Sequence, residues 1–172
     1  LVFNFKGKIM VNNSSLLQAK GTLELKLLDQ FGNVIENRNH NNLVVTGGLG
    51  FITSRMSGTA SSVMASMAVG TSSTAVAASQ QNLVTESART ASLDSTTITT
   101  TTVTNDTIQY VATFAAGVAT AALTEAAIFN YTTYTASPSA SQIMLCRTVF
   151  NVINKGANDT LVITWKIQLA AV

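Results

Sequence analysis

A chain of 172 residues, 47% of them hydrophobic and only 10% charged, with a net charge of +2, is long enough to bury one large core without disulfides or metal. Its ten basic residues are scattered from Lys6 to Lys166, which excludes the clustered footprint of a nucleic-acid binder, and the single Cys146 excludes an intramolecular disulfide. No run approaches the roughly 18 apolar residues of a membrane-spanning helix, and the opening LVFNFKGKI lacks the apolar stretch of a signal peptide, so a soluble chain with no membrane partner is expected.

The chain opens with apolar Val2, Phe3 and Phe5, which are expected to tie its start to a sheet or a neighbouring subunit. Residues 1–20 are read as an N-terminal arm, and 21–172 as a single β-sandwich domain. From 21 to 28, Leu23, Leu25 and Leu27 alternate with Thr22, Glu24 and Lys26, the period of a half-buried strand. DQFGN then turns the chain into a second arm that runs through NRNHNN toward Leu43 and Val45. His40 sits in that polar stretch without a ligand partner at useful spacing and reads as a solvated turn residue. Thr46 offers a side-chain cap, and Leu49, Ile52 and Met56 recur at helical spacing, which predicts the one helix. The preceding TGGLG lacks the lysine and hydroxyl of a P-loop and the spacing of a dinucleotide fingerprint, and so reads as a tight turn.

Val63, Ala65, Met67 and Val69 predict a strand, followed by the long small-residue loop GTSSTAVAASQQ, pinned by residues 82–85 and packed against something. Residues 89–104 are rich in Thr and Ile and read as one long strand, reversed by TNDT into Ile108, Tyr110, Ala112 and Phe114. Gly117 interrupts the pattern, residues 123–129 make another strand, and NYTTYTASPSAS forms the next loop. Residues 143–152 and 161–169 flank NKGAND as a third hairpin, with an Asx turn at Asn158. In the last strand Leu161, Ile163, Trp165, Ile167 and Leu169 share one face, which makes Trp165 a core residue. Seven or eight strands at near-regular spacing give an all-β fold, an antiparallel β-sandwich of jelly-roll or immunoglobulin-like topology with one short helix.

Reactive chemistry is sparse. The eight carboxylates are dispersed, no nucleophile elbow is present, and one histidine and one cysteine stand apart, so no catalytic, cofactor-binding or metal-binding residue is assigned and no enzyme is expected. Cys146 falls within an alternating strand and reads as a buried thiol. Glu125, in the apolar stretch ALTEAAIFN, is expected to be partly buried and paired with Arg147 or Arg89. The charge fraction is far below the roughly 25% of an ordinary soluble domain. Ser, Thr, Asn and Ala take the place of charge, as in STTITTTTVT, and leave a neutral surface that loses little side-chain entropy on contact.

The ordered blocks LVVTGGLGFI, MASMAVGTSSTAVAASQQNLVTESAR, NDTIQYVATFAAGVATAALTEAAIFN and MLCRTVFNVINKGANDTLVITWKI resemble small virion proteins of tailed bacteriophages, of the tail-fibre, minor structural or capsid-decorating type. The resemblance spans residues 43–167. It implies a non-enzymatic role on the outside of the particle, on the capsid or at the neck or tail, among copies of itself and other virion proteins, assembled in the bacterial host cytoplasm. Val2, Phe3 and Phe5 remain the candidate assembly arm on their own apolar character. The alternative is a tail-fibre or adhesin module that binds a host-surface glycan or receptor, with Tyr131 and Tyr134 as the aromatic platforms.

Overall fold

The computed structural model describes residues 2–3, 9–10, 17–58 and 62–171. Its first elements, β1 (Val2–Phe3) and β2 (Ile9–Met10), pair antiparallel with each other, Val2 opposite Met10 and Phe3 opposite Ile9, and stay outside the main sheet. The main sheet has nine strands. In chain order they are β3 (Leu17–Leu28), β4 (Val34–Val44), β5 (Ser66–Gly70), β6 (Glu86–Arg89), β7 (Ser95–Thr99), β8 (Thr107–Phe114), β9 (Ala121–Phe129), β10 (Met144–Lys155) and β11 (Thr160–Ala171). The helix α1 (Thr46–Met56) lies between β4 and β5. The spatial order is β6-β5-β9-β10-β4-β3-β11-β8-β7, antiparallel throughout. The chain is therefore all-β with one short helix.

Two constraints fold this sheet over on itself. Laid flat, nine strands would place the outer edges β6 and β7 eight spacings of about 4.8 Å apart, roughly 38 Å. Yet residues 90–94 alone connect β6 to β7, and six residue steps span at most about 21 Å. At the opposite side, β4 and β10 pair only at Val44 with Cys146 and Leu43 with Arg147 and then part company. Side chains bridge the gap, Arg38 Nη1 donating to Asn151 O (2.7 Å) and Thr148 Oγ1 to Asn41 O (2.9 Å). The two halves of the sheet close on one core, to which β3, β8 and β11 contribute from one layer and β5, β9 and β10 from the other. This is a two-layer sandwich built from one folded sheet, and its order is not the ABED/CFG arrangement of an immunoglobulin domain.

The leucines of β3 and the odd-numbered residues of β11 behave as their period of two requires. Leu23, Leu25, Leu27, Leu161, Ile163, Trp165 and Ile167 are all buried in that core. Trp165 is fully buried, and its Nε1 donates to Asn42 Oδ1 at 2.8 Å. Gly21, opposite Asn42 on the neighbouring strand, is required there, because a Cβ would collide with the Asn42 amide. In the β3–β4 turn the Asp29 carboxylate accepts from the backbone amides of Phe31 and Asn33, and Gly32 takes a positive φ of 84°.

Several expectations are corrected. The stretch 89–104 is not one strand: Arg89 ends β6 and 95–99 form β7 on the opposite edge of the sheet, because the chain leaves β5 at Arg89 and joins β8 at Ser95. Strands β10 and β11 do not form a hairpin: β10 pairs with β9 and β4, β11 with β3 and β8, and residues 156–159 carry the chain from one layer to the other. Asp159, not Asn158, makes that turn, its Oδ2 accepting from Gly156 N at 2.8 Å. Thr46 begins the helix without capping it, and the helix buries Gly48 and Phe51 while Leu49 and Met56 face solvent. Val63 is exposed, and β5 begins at Ser66. β3 starts at Leu17, inside the segment read as arm. His40 is a strand residue, half-buried and paired with Leu23, because inward positions of β4 at the splayed β4–β10 junction are only partly covered and so take Glu36, Arg38, His40 and Asn42.

Replacing Trp165 with Ala is expected to cost about 3–5 kcal/mol in chemical denaturation. A loss below about 1 kcal/mol would contradict the packing and the Asn42 bond described here.

Candidate functional site

Glu125 on β9 and Arg147 on β10 are both fully buried and joined side-on, Arg147 Nε to Glu125 Oε2 at 3.0 Å and Nη2 to the same oxygen at 2.8 Å. The pair is also the anchor of the long small-residue loop. Glu125 Oε1 accepts from Thr85 N (2.8 Å) and Ser72 N (3.4 Å), and Oε2 from Val84 N (3.1 Å). Arg147 donates onward to Thr74 O (3.0 Å), Ala75 O (3.4 Å) and Gln80 Oε1 (3.0 Å). Five donors converge on one carboxylate, which leaves it no lone pair to accept a substrate proton. Gly70 lets the loop come this close, since a Cβ there would strike Thr85 O and Glu125 Oε1. The small side chains of residues 71–79 have the same use: they let backbone carbonyls reach a buried guanidinium.

A second cluster secures the neighbouring edge. Arg89 on β6 grips Glu86 with two bonds (3.0 and 2.7 Å), lies 3.8 Å from the Phe129 ring centroid and 4.6 Å from that of Tyr131, and donates to Tyr131 O (3.1 Å). Tyr131 stands edge-on to Phe129 and donates its hydroxyl to Asn82 Oδ1 at 2.9 Å. Its ring is thus committed to packing, and of the two tyrosines proposed as sugar platforms only Tyr134 is exposed.

The remaining reactive groups are dispersed. His40 packs at 5.8 Å from the Phe150 ring with its Nε2 buried and unpartnered, and burial, with Arg38 nearby, lowers its pKa. Cys146 is a fully buried thiol pushed well up by desolvation, with the Asn42 side chain pulling the other way. Lys155 is buried, its Nζ donating to Ala115 O (3.0 Å) and Asp159 O (2.6 Å), and desolvation lowers its pKa against the pull of Asp159. Among the described residues no three His, Cys, Asp or Glu side chains gather at a metal-binding spacing.

Among the described residues the surface offers one unguarded sheet edge. β6 is short, its ladder with β5 is bulged between Val69 and Gly70, and it carries the Glu86–Arg89 pair. β7 has none of these devices: Ser95–Thr99 is uncharged, in unbroken register with β8, and exposed along almost its whole length. Ile98 continues the inward row of Ile108 and Ile167 but is 68% exposed, because no strand of the other layer reaches it. Beside it opens a largely apolar slot of about 200 Å³, lined by Phe51, Ile52, Tyr110, Ile167 and Leu169 together with Ile98, with Asn105, Asp106 and Thr107 also in its wall. Of the arm residues, Val2 and Phe3 lie in the β1–β2 ladder, whereas Phe5 lies outside the described residues. Periodicity alone gave no sign of the β7 edge, because the signal that isolates it is the crossing at 90–94. In comparisons with protein-family models, curated proteins and solved structures, the chain finds no match.

Two measurements test this geometry. Glu125→Leu and Arg147→Met are each expected to lose about 3–5 kcal/mol in urea unfolding, and the double replacement less than the two together, since each single change strands a buried charge. Burial, aided by Cys146 and opposed by Arg55, pushes Tyr110 up to about 12. A raised phenol favours the native state fully below its unfolded value near 10, and that contribution is lost as pH climbs through about 12. A spectrophotometric titration of the native protein should therefore show Tyr110 ionising about two units late, with Tyr131 also delayed by its burial; all three ionising near 10 would contradict the burial of Tyr110.

Proposed function

We propose that this chain is a structural, non-enzymatic protein of a tailed-bacteriophage virion, set on the outside of the particle. There it decorates or stabilises the capsid or forms part of the neck or tail by packing against copies of itself and other virion proteins. The observation that carries the reading is the uncharged, unguarded β7 edge with its apolar slot, on a chain that has replaced most surface charge with small hydroxyl and amide side chains. An open edge of this kind is a standing invitation to strand pairing, which ordinary monomers suppress. The block order over residues 43–167 that resembles phage virion proteins supports the same reading, as do the saturated Glu125 carboxylate and the isolated His40. The proposal includes no cofactor, no nucleic-acid partner and no membrane.

The glycan-binding alternative has less to stand on, because Tyr131 is held under Arg89 and only Tyr134 is left to stack on a sugar.

Purified chain is expected to sediment as an oligomer and to pellet with phage heads or with isolated tails from particles that lack it. Pelleting with heads alone places it on the capsid, and with tails alone on the neck or tail. A chain that stays monomeric at high concentration and pellets with neither overturns the reading.

A further inference from the structure

We infer that the β7 edge and its slot are the receptor for the β1–β2 segment of a second copy of this chain, so that the subunits join head to tail by strand addition. The inference rests on the assembly role proposed above and names the surfaces that carry it.

Four observations converge. First, the receptor has both parts that strand addition uses, an open backbone edge and an adjoining side-chain pocket. Among the described residues no hydrogen bond reaches the outer backbone groups of β7. An apolar cavity of roughly 150 Å³ already admits a benzene ring, so the slot of about 200 Å³ beside Ile98 has room for one aromatic side chain. Second, the donor strands are apolar in sequence and, among the described residues, stand outside the main sheet. Val2–Phe3 and Ile9–Met10 pair only with each other, and a two-stranded ladder alone is at best marginally stable in water.

Third, the geometry suits delivery to a neighbour. Lys20, Gln168, Thr107 and Thr99 stand in one row across β3, β11, β8 and β7. The chain therefore enters β3 at the end of the sheet where β7 finishes and where the slot opens, three strand spacings or about 14 Å from the β7 edge. Seven residue steps separate Met10 from Leu17, a reach of at most about 25 Å. β3 is an interior strand flanked by β4 and β11, so to meet its own β7 the arm would have to turn back across the ends of two strands. A neighbour's edge demands no such reversal. Fourth, the strands that would pair carry no charge: β7, β1 and β2 contain no ionisable side chain, while the slot's one carboxylate, Asp106, is opposite in sign to Lys6 and Lys8 of the donor segment. The other edge is closed to such an occupant by its bulge and its buried Glu86–Arg89 pair.

Donor and acceptor surfaces differ, so the contact is heterologous and propagates into a ring or an open array. That makes a complementation test decisive. Ile98→Asp spoils the acceptor at an exposed position, and Phe3→Asp spoils the donor in a ladder that stands outside the nine-stranded sheet. In sedimentation velocity with the full-length chain, each variant alone should self-associate at least about thirtyfold more weakly than the parent, the scale of losing one central anchor. Mixed, they should form a discrete one-to-one complex that grows no further, because only one good donor and one good acceptor remain.

Loss of association with Ile98→Asp alone would mean that two β7 edges pair with each other and would overturn the inference. Loss with neither variant would place the contact elsewhere and also overturn it, while leaving the assembly role intact. Two variants that dissociate but fail to complement would show that no arm-to-edge contact joins the subunits, and would overturn the inference. A parent chain that is monomeric throughout and binds no particle removes the assembly role itself.

Discussion

Two opposite charges taken out of water together govern how one face of this sandwich is built. Glu125 and Arg147 are fully enclosed, and neither tolerates burial without the other and without further hydrogen bonds. The loop 71–85 supplies those bonds, and in doing so it is held flat over the outer face of β5, β9 and β10. Beneath it Ala68, Leu83, Ala127, Phe129 and Met144 form a second, smaller core. Strands covered on both faces need not alternate in polarity, and this accounts for the unbroken burial of β5 and of 125–130 in β9 and the turn beyond it. The desolvation cost of the ion pair is thus offset within a structure that buries apolar surface on a layer's outer side.

The other layer has no such cover, and the difference shows at the edges. Arg89 and Glu86 close β6 with a buried pair that also packs Phe129 and Tyr131. At the far side the Asp106 carboxylate organises the turn after β7. Partial desolvation would raise its pKa, but the amides of Val103, Thr101 and Thr102 and the Gln168 side chain outweigh this and hold it below the usual range. That carboxylate therefore favours the fold above the ordinary aspartate range and loses its hold as pH falls through its depressed value. The turn is firm, yet β7 beyond it presents an unpaired backbone. A fold that invests a buried ion pair in closing one edge and none in closing the other treats its two edges differently, and that asymmetry is what the proposed head-to-tail contact uses.

Strand existence was largely legible in the sequence; strand partnership was not. The alternation around Leu23–Leu25–Leu27 and around Trp165 located β3 and β11, because each faces the core on one side only. The apolar setting of Glu125 points to a partly buried carboxylate paired with Arg147 or Arg89; the burial is complete and the partner is Arg147. By contrast, residues 89–104 look like one strand because Thr and Ile favour extended backbone on either edge of a sheet. Only the non-local pairing of Arg89 with Ala68 and Ser95 with Val111 divides them. β4 hid for a different reason. Its inward positions sit where the sheet splays from β10, so Glu36, Arg38, His40 and Asn42 occupy a face that elsewhere would be apolar, and the period of two vanishes from the hydropathy.

That polar row also limits where the sandwich opens. Asn42 holds the indole of Trp165, Arg38 reaches across to Asn151, and Asn41 receives Thr148, so the splayed β4–β10 side is laced by side chains although its ladder is only two residue pairs long. On the opposite side nothing equivalent joins β7 to β6; the link is the five-residue crossing itself, with Thr90 bonded back to Met67 and Asp94 to Val111. Apolar surface is left open at the β7 mouth, where Ile98 extends the core row of Ile108 and Ile167 into solvent. A strand added there would lengthen the row by one more residue and cover Ile98 without rearranging anything beneath it. The proposed contact would ask for no conformational change in the acceptor, since the incoming strand would complete a layer whose inner face is already set.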